Sequence, residues 1–343
     1  MDNLNRKVDT YCSENRISGM LRVTVKDQIL WEQNVGFADQ ESRTPFCKDS
    51  AFNLYSLSKP FLAIGLMLLK DGGRIDIDSH PARYVPEAAG FCRDVTIRQM
   101  LHHTSGLPDF MQSANFHEIP GKTGYPADLR EQLPDLATYP QHFTPGTNCM
   151  YANINMTLCA LAIENITGMD YADYMRETVF RPLGMQSAQI DKPGLEVPHR
   201  VTGYELSGDM ITPADRCLHW MHGAGDMIGT VEDVYCLNRA IKHKLLLTEE
   251  SWREILTPSP VCSFGMGCRV NHWHGKKRII HNGGFIGFRT LHIQLPEDDF
   301  DLIILSNSGW GSAREDLSEI IYEAFYGQDS GEQTHIELDK GYI

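Results

Sequence analysis

Basic residues are scarce in this sequence. Against 45 Asp and Glu stand 31 Lys and Arg, a formal net charge of -14 over 343 residues. Such an acidic surface repels phosphate backbones and anionic headgroups, so neither nucleic acid nor membrane is expected as a partner. The one basic cluster, Lys276-Lys277-Arg278, reads as a solvated turn after Gly275. Long apolar runs are missing too. The longest, Phe61 to Leu69, falls well short of the roughly 20 residues that span a bilayer and reads as a buried helix. The first segment, MDNLNRKVDTYCSENRISG, has no apolar stretch of signal-peptide length, so a cytoplasmic location is expected. The nine cysteines are odd in number, follow no regular spacing and are expected as reduced thiols. There is no internal repeat and no low-complexity segment.

What remains is a patterned order of elements. Residues 3–15 are polar with helical spacing. Leu21, Val23 and Val25 then alternate on one face, a turn falls near Lys26-Asp27, and Ile29 to Val35 return, which reads as a β-hairpin. A helix is expected from Ser56 to Lys70, closed by Gly72-Gly73, and another from an N-cap at Thr96 to Gly106. NINMTLCALAIENITG and DYADYMRETVF carry two more helical patterns. The stretch 107–145 is rich in Pro and Gly and loop-like. SFGMGCRV, RIIHNGGFIGFRTLHIQLP and DFDLIILSNSG read as strands, and EDLSEIIYEAFYG as a helix. A helical unit inserted into a sheet domain would give this order. The sheet unit is expected at 1–75 and 190–327, the helical unit at 76–189 and a flexible tail at 328–343.

Chemistry concentrates in FNLYSLSKPF. Ser56 and Lys59 are three apart, which puts them on one helix face. Ser56 lies where the helix begins, near unpaired N–H groups and the positive dipole end, a place suited to an oxyanion. A lysine among apolar neighbours has its charged form disfavoured and can take a proton. Ser58 is the rival serine, but it adjoins Lys59, and adjacent helix residues do not face each other. Alone, the stretch also reads as a serine-capped helix. Two further segments bear on it: Tyr151-Ala152-Asn153 directly before a helix, and His281-Asn282-Gly283-Gly284 inside an apolar strand. S-x-x-K, then a second triplet, then x-x-G is the order found in serine β-lactamases and penicillin-binding proteins.

The sequence resembles the serine β-lactamase-related superfamily, which includes class C β-lactamases, DD-peptidases, D-aminopeptidases and related esterases. VTIRQMLHHTSGLP, TPGTNCMYAN, FRPLGM, GAGDMIGTVEDV and LSNSG are similar to its recurring segments, in order, over about residues 5–327. The resemblance implies an α+β fold of the β-lactamase/transpeptidase type, with an antiparallel sheet flanked by N- and C-terminal helices and an inserted all-helical subdomain. The active site would lie in the cleft between them. It implies that Ser56 is acylated and that Lys59 and Tyr151 together take its proton, with either the lysine neutral or the tyrosine a phenolate. Tyr151 would return a proton to the leaving group. The N–H groups of Ser56 and Gly284 would form the oxyanion hole, Gly283 would let substrate approach the strand, and Asn153 would hold Lys59 and the substrate amide.

Two positions depart from the family pattern. His281 stands where K-T-G has lysine, replacing a permanent cation with a group that titrates near neutrality and can be a neutral donor. Asn282 stands where it has threonine. Both weaken the case for β-lactam turnover. The expected activity is therefore acyl-enzyme hydrolysis of a small ester, amide or D-amino-acid peptide, without cofactor or metal. A weak β-lactamase or DD-carboxypeptidase, or a non-catalytic relative kept for assembly or ligand sensing, are the alternatives. Nothing in the sequence fixes an oligomeric state. His272 and His274, with Cys262 and Cys268, fit no zinc spacing, although strand alternation would put the two histidines together. His102-His103 read as a helix C-terminus, Cys149 as an edge of the cleft without marks of a nucleophile, and GAGD as too short for a phosphate loop.

Overall fold

Residues 1–90, 92, 94–112, 130, 133–214 and 217–327 are described by a computed structural model. The expected tail at 328–343 lies outside them, as do 113–129 and 131–132 of the Pro- and Gly-rich stretch. Helix α1 (Asp2–Asn15) buries Leu4, Val8 and Cys12, spaced four apart so that they share a face. β1 (Gly19–Val25) and β2 (Gln28–Val35) pair as the expected hairpin. Its turn residues Lys26 (φ 51°) and Asp27 (φ 61°) both take positive φ, as a two-residue type I′ turn needs. The strands β3 (Phe52–Asn53), β4 (Gln189–Ile190), β5 (Tyr204–Ser207), β6 (Met210–Pro213) and β7 (Met227–Gly229) are short. β3, β7 and β4 form one small sheet and β5 with β6 a separate hairpin. β8 (Arg269–Trp273), β9 (Lys276–Phe285), β10 (Phe288–Leu295) and β11 (Phe300–Ser306) complete a six-stranded antiparallel sheet in the order β2-β1-β11-β10-β9-β8.

The other principal helices are α2 (Lys59–Asp71), α3 (Ile97–Leu101), α4 (Asn153–Thr167), α5 (Val231–His243) and α6 (Ala313–Tyr326). β11 is central and buried on both faces, which is why it reads as an unbroken apolar run rather than an alternating one. Leu302 and Ile304 join α1 and α6 in one apolar cluster, through Leu4, Val8, Leu317 and Ile321. Ile303 and Leu305 join the larger cluster, which contains α2, α4 and α5. Among the described residues, 76–188 contain no strand. No helix among them is long and apolar enough to cross a membrane.

Three local expectations are corrected. The α-helix expected from Ser56 begins at Lys59, after a 3-10 turn over Tyr55–Ser58. SFGMGCRV is strand only from Arg269; before it Gly267 takes φ +73° where a Cβ would press on the Lys59 carbonyl of α2 at 2.7 Å. Alternation also fails at His274, which leaves β8 for a turn (φ 47°) and puts Nε2 2.8 Å from Glu319 on α6. α3 does start at Thr96 with the expected cap, reinforced by Gln99 in a reciprocal capping box, but ends at Leu101 because the chain turns His103 inward.

β9 is the element that positions the site. It packs against the Tyr55–Ser58 turn at Gly283, where a Cβ would collide with the Leu54 carbonyl oxygen and with Thr290 Oγ1 at 2.5 Å. Thr290, opposite Gly283 on β10, donates to that same carbonyl at 2.9 Å. What the glycine admits is thus the serine's own turn, not a substrate. Overpacking of this kind typically costs about 1–3 kcal/mol. Gly283→Ala is expected to lower unfolding stability by that amount in urea titration. Gly90→Ala, where a Cβ meets open space, is expected to stay within about 0.5 kcal/mol of the parent.

Candidate functional site

The 3-10 turn does for Ser56 what an α-helix would do less directly. With three residues per turn, positions i and i+3 eclipse, so Lys59 lies straight under Ser56. Lys59 Nζ donates to Ser56 Oγ at 2.9 Å. Tyr151, from the segment before α4, donates its hydroxyl to the same oxygen at 2.7 Å. Ser58 is set aside: its hydroxyl is buried and meets no partner among the described residues. The turn is entered through Tyr55 at φ 50°, a strained conformation for a bulky residue. Tyr55 is held there by its hydroxyl bond to the Ile286 carbonyl at 2.7 Å and by ring contacts with Phe285 and Phe288.

Lys59 is fully buried. Besides Ser56 it donates to Asn153 Oδ1 at 3.0 Å and to the Ala224 carbonyl. Burial drives its pKa from 10.5 down to about 7, against the opposing pull of Asp109 and Asp226. Both carboxylates are buried as well. Asp109 is raised by burial but accepts from the N–H groups of Met111 and Asn153. Asp226 is raised by burial to about 6, opposed by His222. Its Oδ2 accepts from Gly223 N at 3.0 Å, while Oδ1 meets no partner among the described residues. The three donations shown are those of the ammonium; a neutral amine would keep the two to Asn153 and Ala224 and turn its lone pair to the Ser56 proton.

Tyr151 is braced from behind by His103, whose ring stacks on it at 4.4 Å. His103 sits at φ 57°, and its Nδ1 accepts from Ala152 N at 3.2 Å. Burial holds it well below the ordinary histidine range, so it is a neutral platform. Phe264 closes the other side, edge-on to His103 at 4.8 Å and tilted to Tyr151 at 6.0 Å.

The third motif takes a form the sequence did not announce. His281 is buried on β9, and its Nδ1 lies 2.7 Å from the Asn282 carbonyl. A carbonyl only accepts, so Nδ1 carries the proton and Nε2 is an acceptor, without partner among the described residues. Burial, then the charge on Lys59, lowers its pKa to about 3. The ring is therefore a neutral group bound to its own strand, not the donor expected at this position. From His281 to Phe285 the strand pairs with β10 but no longer with β8, whose register ends at Ile280. Asn282 on this stretch is half-buried and Gly284 is exposed. Arg289 and Arg314 flank Gly284: a Cβ there would lie 2.8 Å from Arg289 Cδ and 3.3 Å from an Arg314 nitrogen.

The structure thus brings Ser56, Lys59, Tyr151 and Asn153 into one bonded group beside β9. Asn153 uses Oδ1 on Lys59 and Nδ2 on Met111 Sδ at 3.2 Å. His103, Asp109, Ala224 and Asp226 are additions. His103 lies in the quoted helix-end segment, and Ala224 and Asp226 in GAGD, so their neighbourhood was visible but not their direction. Asp109 carried no signal. Among the described residues no group of three or more His, Cys, Asp or Glu is arranged to hold a metal.

Comparison with known proteins gives the same frame. The family model described as Beta-lactamase matches residues 4–324. A penicillin-binding protein of Bacillus subtilis (strain 168) is 28% identical over 321 residues, covering 87% of this chain and 70% of that protein. A D-aminopeptidase of Cereibacter sphaeroides (strain ATCC 17029 / ATH 2.4.9) is 27% identical over 316 residues, covering 90% of this chain and 60% of that protein. Among solved structures, the D-amino acid amidase of Ochrobactrum anthropi SV3 superposes with a TM-score of 0.77 at 22% identity, covering 95% of this chain and 99% of that one. The family match takes in both the sheet and the helices, and the chain therefore belongs to the Beta-lactamase family, as a serine hydrolase.

Proposed function

We propose that the chain hydrolyses small amides of D-amino acids, or esters of similar size, through an acyl-enzyme on Ser56. The observation that carries the reading is the convergence of Lys59 Nζ and Tyr151 Oη on Ser56 Oγ, with Lys59 held near half-deprotonation at neutral pH. Neutral Lys59 takes the Ser56 proton as Oγ attacks the carbonyl carbon. Developing negative charge on the carbonyl oxygen falls to the N–H groups of Ser56 and Gly284. Tyr151 passes a proton to the leaving nitrogen or oxygen and then aligns the deacylating water. The substrate lies along the edge of β9 that β8 leaves free after Ile280. Its helical wall comes from the unit at 76–189, with the cleft between that unit and the sheet.

The substrate class follows from His281. A neutral imidazole, with Nδ1–H on the Asn282 carbonyl, supplies no cation for a substrate carboxylate. This favours substrates whose scissile carbonyl is followed by a neutral leaving group, in keeping with the D-aminopeptidase and D-amino acid amidase relatives. A second reading, removal of a C-terminal residue with its free carboxylate, draws on the charge of Arg289 and Arg314 near Gly284, whose guanidiniums already donate to the Phe285, Phe288 and Gly283 carbonyls and keep further N–H groups. The reading is tested with D-alanine p-nitroanilide, a p-nitrophenyl ester, a D-alanyl-D-alanine peptide and a chromogenic cephalosporin. Turnover of the first two ahead of the others is expected. A reversed order supports the second reading, and no turnover and no fluorophosphonate adduct on Ser56 overturns both.

Ser56→Ala is expected to lower kcat/KM by about 10³-fold or more and to abolish the adduct by intact mass. Tyr151→Phe, which keeps the ring on His103 but removes the proton, is expected to cost about 10²–10⁴-fold in kcat. The pH dependence follows from the lysine. Because acylation needs its neutral form, kcat/KM is expected to rise with pH through about 7 and then level off. Asp226 raises the lysine pKa, so Asp226→Asn is expected to move that limb to lower pH in a pH–rate profile.

A further inference from the structure

His222 lies in the loop before β7, shortly before Ala224 and Asp226. Its ring stands between two carboxylates. Nε2 is 3.5 Å from Glu164 Oε1, on α4, and Nδ1 is 3.7 Å from Asp226 Oδ2. Both oxygens already serve as acceptors. Glu164 Oε1 takes the Tyr171 N–H at 3.2 Å, and Asp226 Oδ2 takes the Gly223 N–H at 3.0 Å. A neutral imidazole carries one N–H, so its other nitrogen would turn a lone pair on a carboxylate oxygen. An imidazolium presents an N–H to each. The geometry is that of one cation shared by two anions. Burial works against that charge, but Glu164 and Asp226 outweigh it and hold the ring above the ordinary histidine pKa.

The same loop serves Lys59. The His222 carbonyl accepts from Thr157 Oγ1 at 2.9 Å, and Gly223 (φ 69°) lies so close to α4 that a Cβ would meet that of Ala160 at 2.6 Å. One residue on, the Ala224 carbonyl receives the Lys59 amine. Asp226 then folds back on the Gly223 N–H and closes the turn. The acceptor and the counter-charge of Lys59 therefore belong to one short loop, and His222 ties that loop to the helical unit.

We propose that His222 is a positioning residue, an imidazolium that keeps Asp226 ionised and so preserves the loop carbonyl and the negative charge on which Lys59 depends. The proposal rests on Lys59 as the base that activates Ser56. Outward from the nucleophile the charges alternate in sign: Lys59, Asp226, His222, Glu164 and then Arg130, whose guanidinium is 3.1 Å from Glu164 Oε2. The other groups facing His222 are the Tyr171 ring, edge-on at 5.1 Å, and the His219 ring at 6.5 Å. Burial pushes the Tyr171 phenol well up, so it stays neutral. Asp191 bears on Asp226 and raises it, but is itself paired with Arg200 at 3.0 Å. The charges that bear directly on Lys59 are those of Asp109 and Asp226, so His222 reaches the lysine through Asp226. Without the imidazolium, buried Asp226 would hold its proton over the range in which Lys59 titrates, and Lys59 would give up its own more readily.

The test begins with the native full chain carrying nitrogen-labelled histidine. Both ring nitrogens of His222 are expected to bear protons at pH 7, and Glu164→Gln is expected to lower the midpoint at which one is lost. A neutral His222 at pH 7 overturns the proposal whatever the activity. On an ester or amide that the chain turns over, His222→Gln is expected to move the rising limb of kcat/KM to lower pH by roughly 1 unit, as Asp226→Asn does. In the double variant the limb is expected to lie where Asp226→Asn alone puts it. A slower enzyme with an unmoved limb, a limb moved to higher pH, or shifts that add in the double variant would also overturn it. The spectra decide the charge on His222 even where His222→Gln does not fold. Absence of turnover on every substrate overturns the Ser56 and Lys59 reading instead.

Discussion

Lys59 must be charged or neutral with no water to help it. Taking an ammonium out of water costs several kcal/mol even after relaxation, so every group around it answers that demand. Two fixed acceptors come from distant parts of the chain, Asn153 at the start of α4 and the Ala224 carbonyl before β7. Asp109 and Asp226 supply negative charge from the same interior and keep the lysine from losing its proton altogether. The result is an amine whose two protonation states lie close in free energy. That balance is a property of the whole neighbourhood: the segments at Asp109 and Asn153, the loop before β7 and the turn at Ser56 each contribute one side of it.

The same demand explains the tight backbone geometry. The 3-10 turn puts Lys59 straight under Ser56, and that turn is entered through a tyrosine at positive φ. Strain of this kind persists only where its surroundings over-determine it. Here Gly283 admits β9 up to Leu54, Thr290 ties off the Leu54 carbonyl, and Gly267 lets the loop before β8 lie on the first turn of α2. Small residues at the contacts and a bulky one at the strained position together set the serine's place to within a hydrogen bond.

Much of this was legible in the sequence, for identifiable reasons. The hairpin was readable because Leu21 and Val23 alternate and Lys26-Asp27 break the pattern. Ser56 and Lys59 were readable because a spacing of three carries direction on any helical backbone, and Tyr151 because it precedes a helix in the right order. The misses share a cause. The Ala224 acceptor is a main-chain carbonyl, which no letter of the sequence encodes. His103 and Asp226 act through where the chain turns them, and His103 depends on a positive φ that favours glycine or asparagine. His281 does fall on a strand, but its tautomer is set by the carbonyl of the next residue. Strand was expected over Ser263–Cys268 because its apolar letters alternate, while its glycines serve a close helix contact instead.

The open edge of β9 has a cost that catalysis does not reveal. From His281 to Phe285 the strand has β10 on one side and, among the described residues, no strand on the other. Unpaired strand edges are the places where a second molecule can add its own strand, so a site that must keep one open carries a standing risk of aggregation. Gly283-Gly284 is poor strand-forming sequence at the centre of that edge. Arg289 and Arg314 already donate to the Phe285, Phe288 and Gly283 carbonyls there, so a strand laid alongside would compete with them for those acceptors. Gly283, which admits the Ser56 turn, thus also weakens this edge as a template for another copy of the chain.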